Sequence, residues 1–223
     1  MTKAKIAEIF YSIQGEGIYQ GTPQIFLRFW GCDLACDFCD TRPLRYTEIS
    51  PESIWETLAA EPRYWETVAL TGGEPLLQAE ALGQICRRIK VEGRATYLET
   101  NGVLCEALET VIDDIDTIAM DFKLPSSTKG RAFWDEHRRF LSLARKREVF
   151  VKAVVTPATP EEEIIKSAEL IAAIDKDIFL VLQPAFAFES VLWERLGGFE
   201  QTAKEIIPHV RVIGQLHKHI GVR

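Results

Sequence analysis

The sequence predicts an α/β fold built on a mostly parallel sheet, and three observations carry that expectation. Short apolar runs alternate with amphipathic stretches along the chain, giving about six strand-plus-helix units in a row. Polar and glycine-rich segments recur where a strand ends, as they do on the ligand-binding rim of parallel sheets. No linker, low-complexity stretch or internal repeat interrupts the rhythm, so residues 1–223 read as one domain.

Taken in order, "QIFLRFW" (24–30) reads as a strand that stops at Gly31. "SPESIWETLAA" (50–60) reads as a helix, with Ser50 as cap and Pro51 at the first helical position. "TVAL" (67–70) is a strand ending at Thr71-Gly72-Gly73, and residues 78–90 are helical. "ATYLET" (95–100) is a strand ending at Asn101-Gly102, with a helix from about 103. "DTIAMDF" (116–122) is a strand, "AFWDEHRRFLSLAR" (132–145) a helix and "EVFVKAVV" (148–155) a strand. Residues 159–174 form a helix with Thr159 as cap and Pro160 behind it. "EEE" at 161–163 supplies acidic first-turn residues that favour its N-terminus. "DIFLVLQP" (177–184) is a strand, and 191–207 is a helix that Gly197-Gly198 is expected to kink or split. "HVRVIGQLHKH" (209–219) is a last strand running into a polar tail.

The formal net charge is −7, with no basic excess to neutralise phosphates, so nucleic-acid and membrane-surface partners are not expected. No apolar run is long enough for a membrane span, and the first residues lack the apolar core of a signal peptide. Five cysteines, an odd count with three clustered, do not suggest a disulfide framework; a reducing cytoplasm fits better. Cys86 lies in an apolar helical stripe and reads as a small buried hydrophobe, and Cys105 reads similarly. His137 and His209 read as surface or packing residues.

The chemistry starts at "GCDLACDFCD" (31–40), where Cys32, Cys36 and Cys39 are spaced C-x3-C-x2-C. A structural zinc site wants four ligands, and no histidine lies near in sequence. A four-iron cluster held by three thiolates leaves one iron without a protein ligand, open to a cofactor. The spacing favours the cluster, with zinc as the alternative. Next along the rim, Gly72 and Gly73 permit close backbone approach.

"CDLACDFC" resembles the cluster loop of the radical S-adenosylmethionine (SAM) superfamily, and "TGGEP" (71–75) resembles its glycine-rich motif. "EIFYSIQGEG" (8–17), "GTPQIFLRFWGC" (21–32), "CDT" (39–41), "TGGEPLLQ" (71–78), "ETNG" (99–102), "MDFKLPSS" (120–127), "LQP" (182–184) and "QLHKH" together resemble the 7-carboxy-7-deazaguanine synthase family over nearly the whole chain. The resemblance implies a partial TIM-type barrel of about six parallel strands with outer helices, the radical SAM core. It implies a lyase that converts 6-carboxy-5,6,7,8-tetrahydropterin into 7-carboxy-7-deazaguanine with loss of ammonia, on the way to queuosine-type bases of tRNA. A 5′-deoxyadenosyl radical, made by reducing SAM at the cluster, takes the hydrogen at C6. The cofactors so implied are a 4Fe-4S cluster, SAM and Mg2+; the partners are the pterin, an electron donor such as flavodoxin, and a second copy in a homodimer.

The resemblance also assigns residues. Cys32, Cys36 and Cys39 match the cluster ligands and Thr41 the magnesium ligand. Ile13, Gln14, Gly15 and Glu16 match the pterin-binding segment, with Arg28 as counter-charge to the substrate carboxylate and Thr71 and His217 as further contacts. The carboxylate of Arg223 could reach the substrate, as the C-terminus does in some relatives. Gly73, Glu74, Asp121, Phe122, Lys123, Gln183, Pro184, Ala185 and Phe186 match SAM-holding positions, with Glu99 and Asn101 at the ribose. One departure is Ala185-Phe186-Ala187, where a polar contact is expected; backbone contacts would have to serve. The rival readings are a radical SAM activase acting on a partner protein and a zinc-binding interaction module.

Overall fold

The computed structural model describes residues 2–39, 41 and 44–222. The chain opens with a hairpin of β1 (Ala4–Ile13) and β2 (Pro23–Phe29), followed by a short β3 (Thr47–Ile49) and α1 (Pro51–Ala59). β4 (Thr67–Gly72), α2 (Ala79–Val91), β5 (Ala95–Thr100), α3 (Cys105–Val111) and β6 (Thr117–Phe122) continue the βα rhythm. After β6 come α4 (Pro125–Thr128), α5 (Trp134–Ala144), β7 (Glu148–Val155), α6 (Glu161–Ala172) and β8 (Leu180–Pro184). α7 (Glu189–Lys204), β9 (Val210–Val212) and α8 (Leu216–Ile220) complete it.

Among the described residues one sheet runs in the order β3-β1-β2-β4-β5-β6-β7-β8-β9. β1 is antiparallel to both β2 and β3, and every pairing from β2 to β9 is parallel. The sheet ends in two separate edges, β3 and β9, so the architecture is an open, partial barrel.

Period-2 alternation divides each strand between two environments. Ile25, Leu27, Val68, Leu70, Leu98, Ile118, Met120, Val151, Ala153, Leu180 and Leu182 face the helices and join the large outer core. Phe26, Ala69, Tyr97, Ala119, Phe150 and Val181 face the concave side and form a smaller inner core. The loop after β1 crosses this concave side, where Tyr19 packs its ring against Tyr97 and Phe150. Gly17 makes that crossing possible: its φ is +68°, and a side chain there would strike the Phe150 ring.

The structure departs from the sequence expectations at four places. β1 and β3 were not anticipated: β1 carries polar residues in "AKIAEIFYSI" and is recognisable only by its partner β2. Thr159 does not cap α6; Pro160 occupies that position without a side-chain bond, and the Thr159 hydroxyl instead accepts from the Thr156 amide at 3.0 Å. α7 runs unbroken through Gly197 and Gly198, because packing by Leu192, Leu196 and Phe199 outweighs the glycine cost. The expected strand at 209–219 lasts only from Val210 to Val212, after which the chain turns into α8.

Candidate active site

Two residues beyond each inner-core position, the same face of the same strand carries a polar side chain. The pairs are Phe26 and Arg28, Ala69 and Thr71, Tyr97 and Glu99, Ala119 and Asp121, Phe150 and Lys152, and Val181 and Gln183. A strand step of two returns the chain to one face, so an apolar floor at one level becomes a polar belt at the next. The register carries the belt across strands, pairing Arg28 with Thr71 and Asp121 with Lys152. All six belt residues line one cavity of about 890 Å³, which also receives Ile13, Gln14, Gly15, Glu16, the three clustered cysteines, Thr41, Gly73, Asn101, Lys123, Ala185, Phe186 and His217. This size lies within the range of small-molecule and cofactor sites.

The cysteine loop forms one wall. Gly72 has φ +134°, and a side chain on it would meet the Phe29 carbonyl oxygen at 2.1 Å; one on Gly73 would meet the Gly31 oxygen at 1.9 Å. The glycines are therefore demanded by backbone packing against the start of the cysteine loop. Behind this wall Glu74 is fully buried and accepts from the Asn101 amide (2.7 Å), the Thr100 hydroxyl (3.0 Å) and the Leu76 amide (3.0 Å). Burial pushes its carboxyl up to about 7, against the pull of those hydrogen bonds. Asn101 passes the restraint on: its side-chain amide donates to Asp33 at 2.8 Å, next to Cys32.

Burial raises the Cys32 thiol to about 11 and raises Cys36 as well, with nearby carboxylates adding to the effect at Cys32. Burial outweighs the Lys123 charge, which favours the thiolates, so deprotonation must accompany metal binding. Among the described residues, no three His, Cys, Asp or Glu side chains converge closely enough to hold a single metal ion. A donor set of three thiols spread along one cavity wall fits a cluster, in which each sulfur takes a different iron.

Next to the cysteines, Lys123 lies over the Phe38 ring at 5.5 Å and pairs with Asp121 at 2.8 Å. Gln183 is 3% exposed, and its Oε1 has no hydrogen-bond partner, an acceptor left for a ligand. Phe122 and Pro184 are buried behind the wall, as Glu74 is. Phe122 stacks on His137 at 4.8 Å. His137, expected at the surface or in packing, is fully buried; its Nε2 faces the Asn101 oxygen at 3.3 Å and the Lys123 amide at 3.4 Å.

On the opposite side, Gln14 donates to Glu99 at 3.0 Å, and Thr71 donates to the other Glu99 oxygen at 2.5 Å. Glu99, expected near the ribose with Asn101, is thus placed with the 13–16 segment. The Arg28 guanidinium pairs with Glu8 at 3.2 Å and lies over Phe10 at 5.4 Å. His217 closes this side: α8 docks through the Leu216 amide on the Gly15 oxygen at 2.9 Å, and a side chain on Gly15 would strike the His217 ring. Arg223 lies outside the described residues.

Two residues whose side chains bond to Glu16 were given no role in the sequence. Lys152 is the one belt residue missed, although a lone lysine inside "EVFVKAVV" is itself a signal, since a buried charge must find partners. Gln215 donates to Glu16 at 2.5 Å, a contact only the turn into α8 creates.

A profile of the radical SAM superfamily matches residues 29–171. The 7-carboxy-7-deazaguanine synthase of Geobacter sulfurreducens is 35% identical, over 98% of this chain and 97% of the relative. That of Archaeoglobus fulgidus is 32% identical, over 99% of this chain and all of the relative. The crystal structure of QueE from Escherichia coli superposes with a TM-score of 0.69 at 21% identity, covering 96% of this chain and 95% of that one.

Proposed function

The chain belongs to the radical SAM superfamily and within it to the 7-carboxy-7-deazaguanine synthases, and on that premise we propose how its cavity performs the synthesis. The reaction is an ammonia-eliminating lyase step that turns 6-carboxy-5,6,7,8-tetrahydropterin into 7-carboxy-7-deazaguanine. The observation that carries the assignment of residues is the convergence of three thiols, a polar belt and the 13–16 segment on one cavity.

Cys32, Cys36 and Cys39 would hold the 4Fe-4S cluster. When bound, the cluster and SAM supply a 5′-deoxyadenosyl radical for removal of the C6 hydrogen. Gly73, Asp121, Lys123, Gln183, Ala185 and Phe186 shape the SAM side of the cavity, Gln183 with its unsatisfied oxygen. Glu74, Phe122 and Pro184 support that wall from behind, and Asn101 restrains the cysteine loop through Asp33.

Ile13, Gln14, Gly15, Glu16, Thr71, Glu99 and His217 shape the pterin side. Burial pushes Glu16 toward the neutral acid, but the Lys152 charge, hydrogen bonds from Lys152 and Gln215, and the His217 charge lower its pKa to about 2. An ionised Glu16 accepts the paired N–H donors of the pterin edge. Arg28 meets the substrate carboxylate with a two-pronged donor. Thr41 is the proposed Mg2+ ligand, a hydroxyl oxygen suited to a hard cation that keeps most of its waters.

Among the described residues no helix is long and apolar enough to cross a membrane. The reading extends to one domain over 1–223, a cytoplasmic homodimer and reduction by a donor such as flavodoxin. Anaerobic turnover of the reconstituted protein with carboxytetrahydropterin, SAM and dithionite tests the function. Product of the mass of 7-carboxy-7-deazaguanine is expected; a zinc-loaded, iron-free protein without turnover would overturn it.

A further inference from the structure

We propose that Lys152 is the positioning residue that holds Glu16 as a carboxylate in the cavity and ties it to Asp121, so that the site selects a ring edge with adjacent N–H donors. The proposal rests on the reading of Glu16 as a pterin contact. Lys152 is the fifth of the six belt residues in sheet order, with only 8% of its side chain exposed. Its ammonium pairs with Glu16 from the loop after β1 and with Asp121 of β6 at 3.3 Å. One side chain therefore spans the pterin side and the SAM side.

The chemistry of the edge explains why a cation belongs there. A carboxylate offers only acceptors and matches two neighbouring N–H groups; a carboxylic acid would set an O–H against one of them. Gln215 takes one Glu16 oxygen and Lys152 the other, leaving free lone pairs on both. Without the Lys152 charge, the largest of the effects that oppose burial, Glu16 would shift toward the neutral acid. Burial alone would also strip Lys152 of its proton, but Asp121, Glu16 and Glu99 raise its pKa well above the ordinary lysine value. The charged and titratable groups around the Glu16–Lys152 pair are His217 on α8, Tyr97 and Glu99 on β5, Asp121 on β6 and Lys123 just after β6.

The test is anaerobic equilibrium binding of 6-carboxy-5,6,7,8-tetrahydropterin to the cluster-loaded protein without SAM, from pH 5.5 to 8.5. Glu16→Gln should weaken binding roughly 10- to 100-fold and report the pH dependence of the pterin alone. The wild type should bind tighter with a profile of the same shape. Lys152→Met and Lys152→Gln should weaken binding at least ~10-fold at the acid end and recover as pH rises, an acid limb that Glu16→Gln lacks. Lys152→Arg should restore the wild-type shape, which a purely structural role would not require. Wild-type affinity and shape in both neutral Lys152 variants, with weak binding in Glu16→Gln, would overturn the role of Lys152 and leave the Glu16 reading intact. Wild-type affinity in Glu16→Gln would instead overturn the Glu16 reading. Should neither neutral variant fold, the wild type decides: an acid limb absent from Glu16→Gln shows Glu16 titrating despite Lys152 and sinks the proposal, and its absence supports it.

Discussion

Replacing His137 by phenylalanine should remove a step in the stability of this protein between neutral and acid pH. The ring is fully buried, stacked on Phe122 with an interplanar angle of 4°, and its Nδ1 has no hydrogen-bond partner. Burial lowers its pKa from 6.5 to about 4, with the Lys123 charge adding to the effect and the bond to the Asn101 oxygen opposing it. The folded value lies below the unfolded one, so between them the unfolded chain binds a proton that the native state refuses. Stability is complete above pH 6.5, falls as pH drops toward 4 and then levels off. At about 1.4 kcal/mol per pH unit the whole step is about 3 kcal/mol, of which about 2 lies between pH 7 and 5. Phenylalanine keeps the stack, loses the Nε2 contacts at a cost of about 1 kcal/mol, and cannot titrate. Urea midpoints of both proteins, measured anaerobically at pH 7 and pH 5, should show the wild type losing about 2 kcal/mol more than His137→Phe. Parallel losses in the two proteins would refute the reasoning.

Four further outcomes are expected. Gly197→Ala and Gly198→Ala should each stabilise the protein by up to ~1 kcal/mol in thermal unfolding, since a Cβ at either site meets open space inside a continuous helix. Gly73→Ala should lower iron content after reconstitution, because its Cβ would sit 1.9 Å from the Gly31 oxygen; iron content equal to wild type would contradict the packing argument. Arg28→Ala should weaken carboxytetrahydropterin binding roughly 10- to 100-fold with the cluster spectrum unchanged, and normal affinity would remove its role. Thr41→Ala should blunt the response of turnover to added Mg2+; an unaltered magnesium titration would count against that ligand.

Much of the site was legible because its signals are local. Three cysteines within eight residues declare a metal loop, and five of the six belt residues stand one residue before the end of their strand. Lys152 escaped because it lies inside its strand, two residues past Phe150, with no turn beside it. Glu74 and Asn101 were recognised as belonging to the rim, but not that Glu74 is buried behind it and anchors Asn101, which restrains the cysteine loop through Asp33. The twin glycines of α7 looked like a break because propensity is local, whereas the packing that overrides it comes from elements far away in sequence.

The parallel βα order, the cluster loop and the polar strand ends followed from composition, spacing and periodicity, all properties of neighbours along the chain. The pairing of β1 with β2, the docking of α8 on Gly15, and the meeting of Glu16, Lys152 and Asp121 came only with the folded sheet. The reason is register: side chains share a level across strands only once the hydrogen bonds between them set which residues lie opposite, and those partners are distant in sequence.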